Sequence, residues 1–179
     1  MINRFNSTIL MIFFALGIFS DAVLYCDDIV IEDISFRFKI TLPSGWEKKD
    51  FIVTKDKDGI SYSFERKDKK ITLMMLAFKL QTVKNIDDFI YNMEKDVSLN
   101  IPPRSGEFTE KDFGIYDMKQ GIYIDNNFYE EIFYFRTKLP DAPNNYVYMI
   151  RFITTPLDIN KDGEAEIKKI VDSFKSTVE

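Results

Sequence analysis

Two long apolar-rich runs dominate the hydrophobic pattern, residues 128–138 (FYEEIFYFRTK) and 146–155 (YVYMIRFITT). A connector, Leu139-Pro140-Asp141-Ala142-Pro143-Asn144-Asn145, joins them. Aromatic and β-branched density in the runs, with Pro, Asp and Asn between them, predicts a long β-hairpin. In the second run Tyr148, Ile150 and Phe152 share one face, with Val147, Met149 and Ile153 on the other. Apolar residues on both faces predict a strand covered on both sides, at the centre of a sheet.

The rest of the chain is read as neighbours of that hairpin. Residues 33–41 (DISFRFKIT) alternate, with Ile34, Phe36, Phe38 and Ile40 on one face, and predict a half-buried strand. Leu42-Pro43-Ser44-Gly45 stops it, since Pro lacks a ladder donor and Gly permits a turn. A strand over 46–54, a turn over 55–59 with Asp58-Gly59 at its tip, and a strand over 60–66 follow as a hairpin. Residues 71–80 (ITLMMLAFKL) read as a more fully buried strand. Residues 85–99 predict a helix capped by Asn85, with Ile86, Phe89, Ile90, Met93 and Val97 as its apolar stripe and Pro102-Pro103 beyond its end. Weaker strands are expected over 105–113 and 115–124, with Gly114 and Gly121 as bulges or turns. A closing helix over 163–178 carries Ile167, Ile170, Val171 and Phe174 on one face. Mostly antiparallel strands with two amphipathic helices define an α+β fold, a β-sheet sandwiched by helices.

The N-terminus has a different pattern. One basic residue, Arg4, precedes the unbroken apolar run 9–19 (ILMIFFALGIF). Eleven residues at about 1.5 Å each do not cross a hydrocarbon core of about 30 Å. A basic start, a short apolar middle and the small residues Ser20 and Ala22 predict a secretory signal peptide over 1–22. Cys26 offers an alternative, lipidation with a leader over 1–25. There Val23-Leu24-Tyr25-Cys26 resembles a lipobox apart from the bulky Tyr25. Residues 27–179 then form a single domain.

Composition narrows the chemistry. The chain has no histidine and one cysteine, which excludes Ser-His-Asp, Cys-His and His-ligated metal chemistry and any internal disulfide. A net charge of −5 with interspersed signs argues against a nucleic-acid partner. Asp158-Ile159-Asn160-Lys161-Asp162-Gly163 begins like a calcium loop, but Lys169 stands where the bidentate Glu belongs. It reads better as a turn in which Asp162 caps the last helix, and no metal or other cofactor is expected. Glu130, Glu131, Arg136 and Arg151 are expected to pair across strands. Among the tyrosines, Tyr123, Tyr134 and Tyr148, with Tyr129 and Tyr146, are candidates to line a ligand groove on the sheet.

The stretch Phe36-Arg37-Phe38-Lys39-Ile40-Thr41-Leu42-Pro43-Ser44-Gly45-Trp46 resembles the strand-Leu-Pro-x-Gly-Trp opening of the PsbP-like superfamily of PsbP and DcrB-type domains. Ile86-Asp87-Asp88-Phe89 and Ile170-Val171-Asp172-Ser173-Phe174 are similar to its later landmarks. The resemblance spans nearly the whole chain after the leader. It implies an α/β/α sandwich and a role in binding or assembly without catalysis. The histidines of the photosynthetic branch have no counterpart here, so no metal site carries over. The expected protein is therefore an exported, non-enzymatic cell-envelope module, periplasmic or secreted, that binds another envelope protein or assists an assembly. The alternative is a small-molecule or lipid carrier using an aromatic-lined groove.

Overall fold

A computed structural model describes residues 27–177 except 82, 84 and 139–144. The expected leader, its cleavage site and Cys26 lie outside the described residues.

The predicted hairpin forms β8 (Tyr129–Thr137) and β9 (Asn145–Thr154), paired antiparallel with Glu131 opposite Phe152 and Phe133 opposite Ile150. The strand β9 is the centre of a seven-stranded antiparallel sheet. On one side of it run β5 (Ile71–Leu80), β4 (Gly59–Arg66) and β3 (Glu47–Val53). On the other run β8, β7 (Tyr116–Ile124) and β6 (Thr109–Asp112). Both faces of β9 are buried, as its pattern requires. Tyr148, Ile150 and Phe152 enter one core cluster, and Val147 and Met149 the other.

Two different layers cover the two faces. Helix α1 (Ile86–Lys95) lies on the Val147–Met149 side, where Phe89 meets Phe78 and Tyr134 edge-on, each with ring centres 6.0 Å apart. Asn85 caps this helix as expected, its Oδ1 accepting from the Asp88 N–H at 2.8 Å. The opposite face carries helix α2 (Lys161–Ser173) and a small sheet of β1 (Ile29–Asp33), β2 (Phe38–Leu42) and β10 (Lys175–Ser176), in the order β1-β2-β10. Phe38 and Phe174 bind these pieces to the large sheet through ring contacts with Tyr62, Tyr148, Tyr116 and Phe135. The result is an α+β sandwich. No helix among the described residues is long and apolar enough to cross a membrane.

Several expectations are corrected. The run 33–41 is not one strand: it turns between β1 and β2, and Ile34, placed on the buried face by alternation, is 85% exposed. Asp33 makes the turn by accepting from the Phe36 N–H at 2.9 Å, and Arg37 sits at φ 54°. A local side-chain hydrogen bond thus overrides the period-2 pattern. Helix α1 ends four residues before the expected limit, with Asp96 as its C-cap, which leaves Val97 93% exposed. The cap of α2 is Asn160, not Asp162, because the Asn160 Oδ1 reaches the Gly163 N–H at 2.9 Å.

Gly121 is not a bulge, since β7 pairs with β8 without a register shift. It is a gap in the side-chain layer. A Cβ there would stand 2.8 Å from the Tyr123 ring and 2.9 Å from the Phe108 ring. Gly121→Ala is accordingly expected to destabilise the fold by about 1–3 kcal/mol through overpacking, as read by urea denaturation.

Candidate binding groove

The layer over the large sheet is incomplete. The β1-β2-β10 sheet lies over β4 and β9, since Phe38 packs on Tyr62 and Tyr148. Above β7 and β8 only the flank of α2 remains. This leaves a groove of about 400 Å³ between α2 and the sheet, within the usual size of small-ligand sites.

Its geometry follows from the two periodicities. On β7 and β8 every second residue points into it: Tyr116, Met118, Gln120 and Ile122, and Tyr129, Glu131, Phe133 and Phe135. On α2 the lining residues Glu164, Lys168, Val171 and Asp172 follow i, i+4, i+7 and i+8. The neighbouring stripe, Gly163, Glu166, Ile167 and Ile170, is buried. The groove has two chemically distinct ends. At one, Phe113, Tyr116, Phe135 and Phe174 pack ring on ring, with Phe135 and Phe174 4.4 Å apart and Phe113 and Tyr116 4.9 Å apart. At the other stand Tyr129, Glu131 and Glu164. Burial pushes the Glu131 carboxyl above the usual carboxylate range and the charge of Glu164 adds to it, against one hydrogen bond from the Gln120 amide at 2.6 Å. Burial, followed by the charges of Glu131 and Glu164, raises the Tyr129 phenol as well.

The tyrosines put forward from the sequence are divided by the fold. Tyr129 lines the groove, but Tyr123, Tyr134 and Tyr148 lie in the core. Tyr123 donates to Glu94 of α1 at 2.8 Å and shares a 3.1 Å hydrogen bond with Tyr134, both beneath the helix. Tyr148 donates to the carbonyls of Phe36 and Arg37 at 3.0 and 3.1 Å, holding the β1–β2 turn. Burial raises all three phenols. Tyr116, Phe133 and Phe135 in the groove were not singled out. Their alternation with polar residues shows one face of a strand, but nothing in one sequence tells which part of that face a helix leaves open.

Of the charged candidates Glu131 lines the groove, and Glu130 and Arg151 are structural. Arg151 holds Glu130 with two hydrogen bonds of 2.7 Å and donates to the Leu99 carbonyl at 2.7 Å. They sit one step apart diagonally across β8 and β9, the pairing expected of them. Arg136 reaches Asn145 at 3.4 Å. Asp158 accepts from Thr155 at 2.6 Å and Lys70 at 2.9 Å, so the calcium-like run is engaged in local contacts. Among the described residues, no group of three His, Cys, Asp or Glu is placed to hold a metal ion.

The Leu42–Trp46 motif also resolves into architecture. Trp46 Nε1 donates to the buried Glu166 at 2.7 Å, and Arg66 and Lys69 pair with the same carboxylate. Gly45, at φ 97°, lets the Arg66 guanidinium lie against the backbone. The motif thus ties the end of β2 to α2.

Neither a protein-family model nor a curated protein sequence matches the chain. Solved structures do. The chain is similar to the cyanobacterial PsbP, CyanoP, of Synechocystis sp. PCC 6803 at 13% identity and a TM-score of 0.55, covering 87% of this chain and 95% of that one. It is also similar to the Saccharomyces cerevisiae Ran-binding protein Mog1p (12%, TM-score 0.49, 85% and 96%). A third likeness is to Mycobacterium tuberculosis LpqN, a protein involved in cell envelope biogenesis (13%, TM-score 0.49, 79% and 83%). The fold is therefore PsbP-like, as the opening motif implied.

Proposed function

We propose that this protein is an exported, non-enzymatic binding module of the cell envelope, and that it holds a small amphipathic ligand in the groove between α2 and β7–β8. The observation that carries the reading is the groove itself: an aromatic floor with one acidic end, in the gap between α2 and β7–β8. Export rests on the basic, apolar and small-residue pattern of residues 1–22. Native mass spectrometry of protein isolated from its own cells is expected to show a bound small molecule that leaves on denaturation. Val171→Trp, which fills the groove from α2, is expected to lose that mass with the fold intact. An unliganded native protein would remove the reading.

A second reading, docking on a partner envelope protein, draws on the edge strand β3. There Phe51, Ile52 and Val53 are all exposed in a row on the outermost strand of the large sheet. A photo-crosslinker at Ile52 that captured one defined envelope protein in cells would favour this reading.

A further inference from the structure

Resting on the groove as a ligand site, we infer that its ligand is an organic cation: a primary or quaternary ammonium group carried on an apolar body. The inference comes from how charge and aromatic surface are distributed along the groove. Ile122 pairs with Glu131 and Met118 with Phe135, so β7 and β8 give the groove a defined axis from the glutamates to the rings. Glu131 to Phe135 is four residues of strand, about 13 Å.

At the acidic end a positive charge is missing. Glu131 is half-buried, and its partner is the neutral Gln120 amide. Among the described residues, no lysine or arginine comes within ion-pair distance of Glu131 or Glu164. On α2, Lys168 lines the groove one turn from Glu164 and is paired with Asp172 one turn further on. Lys111 lines the groove with Phe113, on β6 and just beyond it at the aromatic end. Glu131 therefore stands half-buried beside the exposed Glu164 and the Tyr129 ring, with no ion-pair partner among the described residues. Burying a charge without a partner is unfavourable, and an ammonium group between Glu131 and Glu164 would relieve it. The Tyr129 ring adds an attractive face for such a cation. Beyond it the groove is lined by the almost fully buried rings of Phe133, Phe135 and Phe174, a lining that suits an alkyl or aryl body and not a hydrated inorganic ion. An anionic ligand of the same shape meets the opposite field at Glu131. A neutral one leaves the carboxylates as they were.

Three probes of one shape test this: 4-phenylbutylamine, 4-phenylbutanol and 5-phenylpentanoate, titrated into the protein with amide shifts followed by NMR. The amine is expected to shift resonances of β7, β8 and α2 and to bind at least tenfold more tightly than the alcohol or the acid. Shift mapping is essential, because a protein with net charge −5 attracts amines weakly everywhere. Glu131→Gln is expected to weaken the amine at least tenfold and the alcohol less than threefold. Glu164→Gln, on the exposed side of α2, is expected to weaken it at least threefold, and decides the question if the Glu131 variant fails to fold. Equal binding of amine, alcohol and acid in the groove would overturn the cation assignment and leave the groove as an apolar ligand site. Amine shifts lying outside the groove would overturn it too. If none of the three probes touched β7, β8 and α2, both the cation assignment and the groove reading would fall together.

Discussion

Arg151→Met is expected to destabilise the protein by about 3–5 kcal/mol. Glu130 and Arg151 are 2% and 5% exposed, and they face each other bidentately across the centre of the large sheet. Removing the guanidinium leaves a carboxylate in the core with no cation. It also leaves the Leu99 carbonyl, at the end of the α1 connection, without its donor. Thermal unfolding should show a drop of roughly 10–15 °C. The double variant Glu130→Leu/Arg151→Met is expected to recover most of the loss, because an apolar pair of similar volume has no charge to desolvate. A single variant as stable as the parent would show that water reaches Glu130.

Glu166→Ala is expected to cost about 2–4 kcal/mol. This carboxylate, 8% exposed, is shared by the Trp46 indole, Arg66 and Lys69. Without it two cations face each other beside an unsatisfied indole N–H, and α2 is held to the end of β2 by Ser173 and Thr41 without the indole. The figure is below that for Arg151 because Arg66 and Lys69, 15% and 26% exposed, can turn toward water, and Arg66 keeps Asp68. Trp46 is the only tryptophan in the chain, so its fluorescence reports the change directly in a urea titration. An unchanged midpoint and unchanged emission would show that apolar packing and the Ser173–Thr41 hydrogen bonds hold β2 and α2 without Glu166.

Both effects fall on residues whose types were legible in the sequence and whose partners were only partly so. Glu130 and Arg151 stand in neighbouring strands of a recognisable hairpin, so their diagonal pairing follows from strand geometry once the register is set. Glu166 and Trp46 are separated by 120 residues, and no periodicity links them. The Leu-Pro-Ser-Gly-Trp run was recognisable as a fold signature. The reason for its glycine and its tryptophan, a backbone turned to seat Arg66 and an indole bonded to α2, appeared only with that helix in place. The groove shows the same division. Alternation put Tyr116, Phe133 and Phe135 on one face of β7 and β8, where they are buried as the floor of the groove, but the tyrosines singled out by residue type, Tyr123, Tyr134 and Tyr148, are buried away from it.

By itself the sequence determined the elements and their class: the central hairpin, the capped first helix, the amphipathic last helix and the α+β architecture. It did so because side-chain periods of 2 and 3.6 and local capping act over a few residues. It also excluded histidine- and disulfide-based chemistry by composition alone. Tertiary structure decided the rest. Asp33 and Arg37 broke an apparently regular strand into two. The small β1-β2-β10 sheet came to lie over β4 and β9, and α2 was left to cover β7 and β8 only in part. A groove is the space between layers, and its place depends on the long-range contacts that set those layers against each other around the aromatic core.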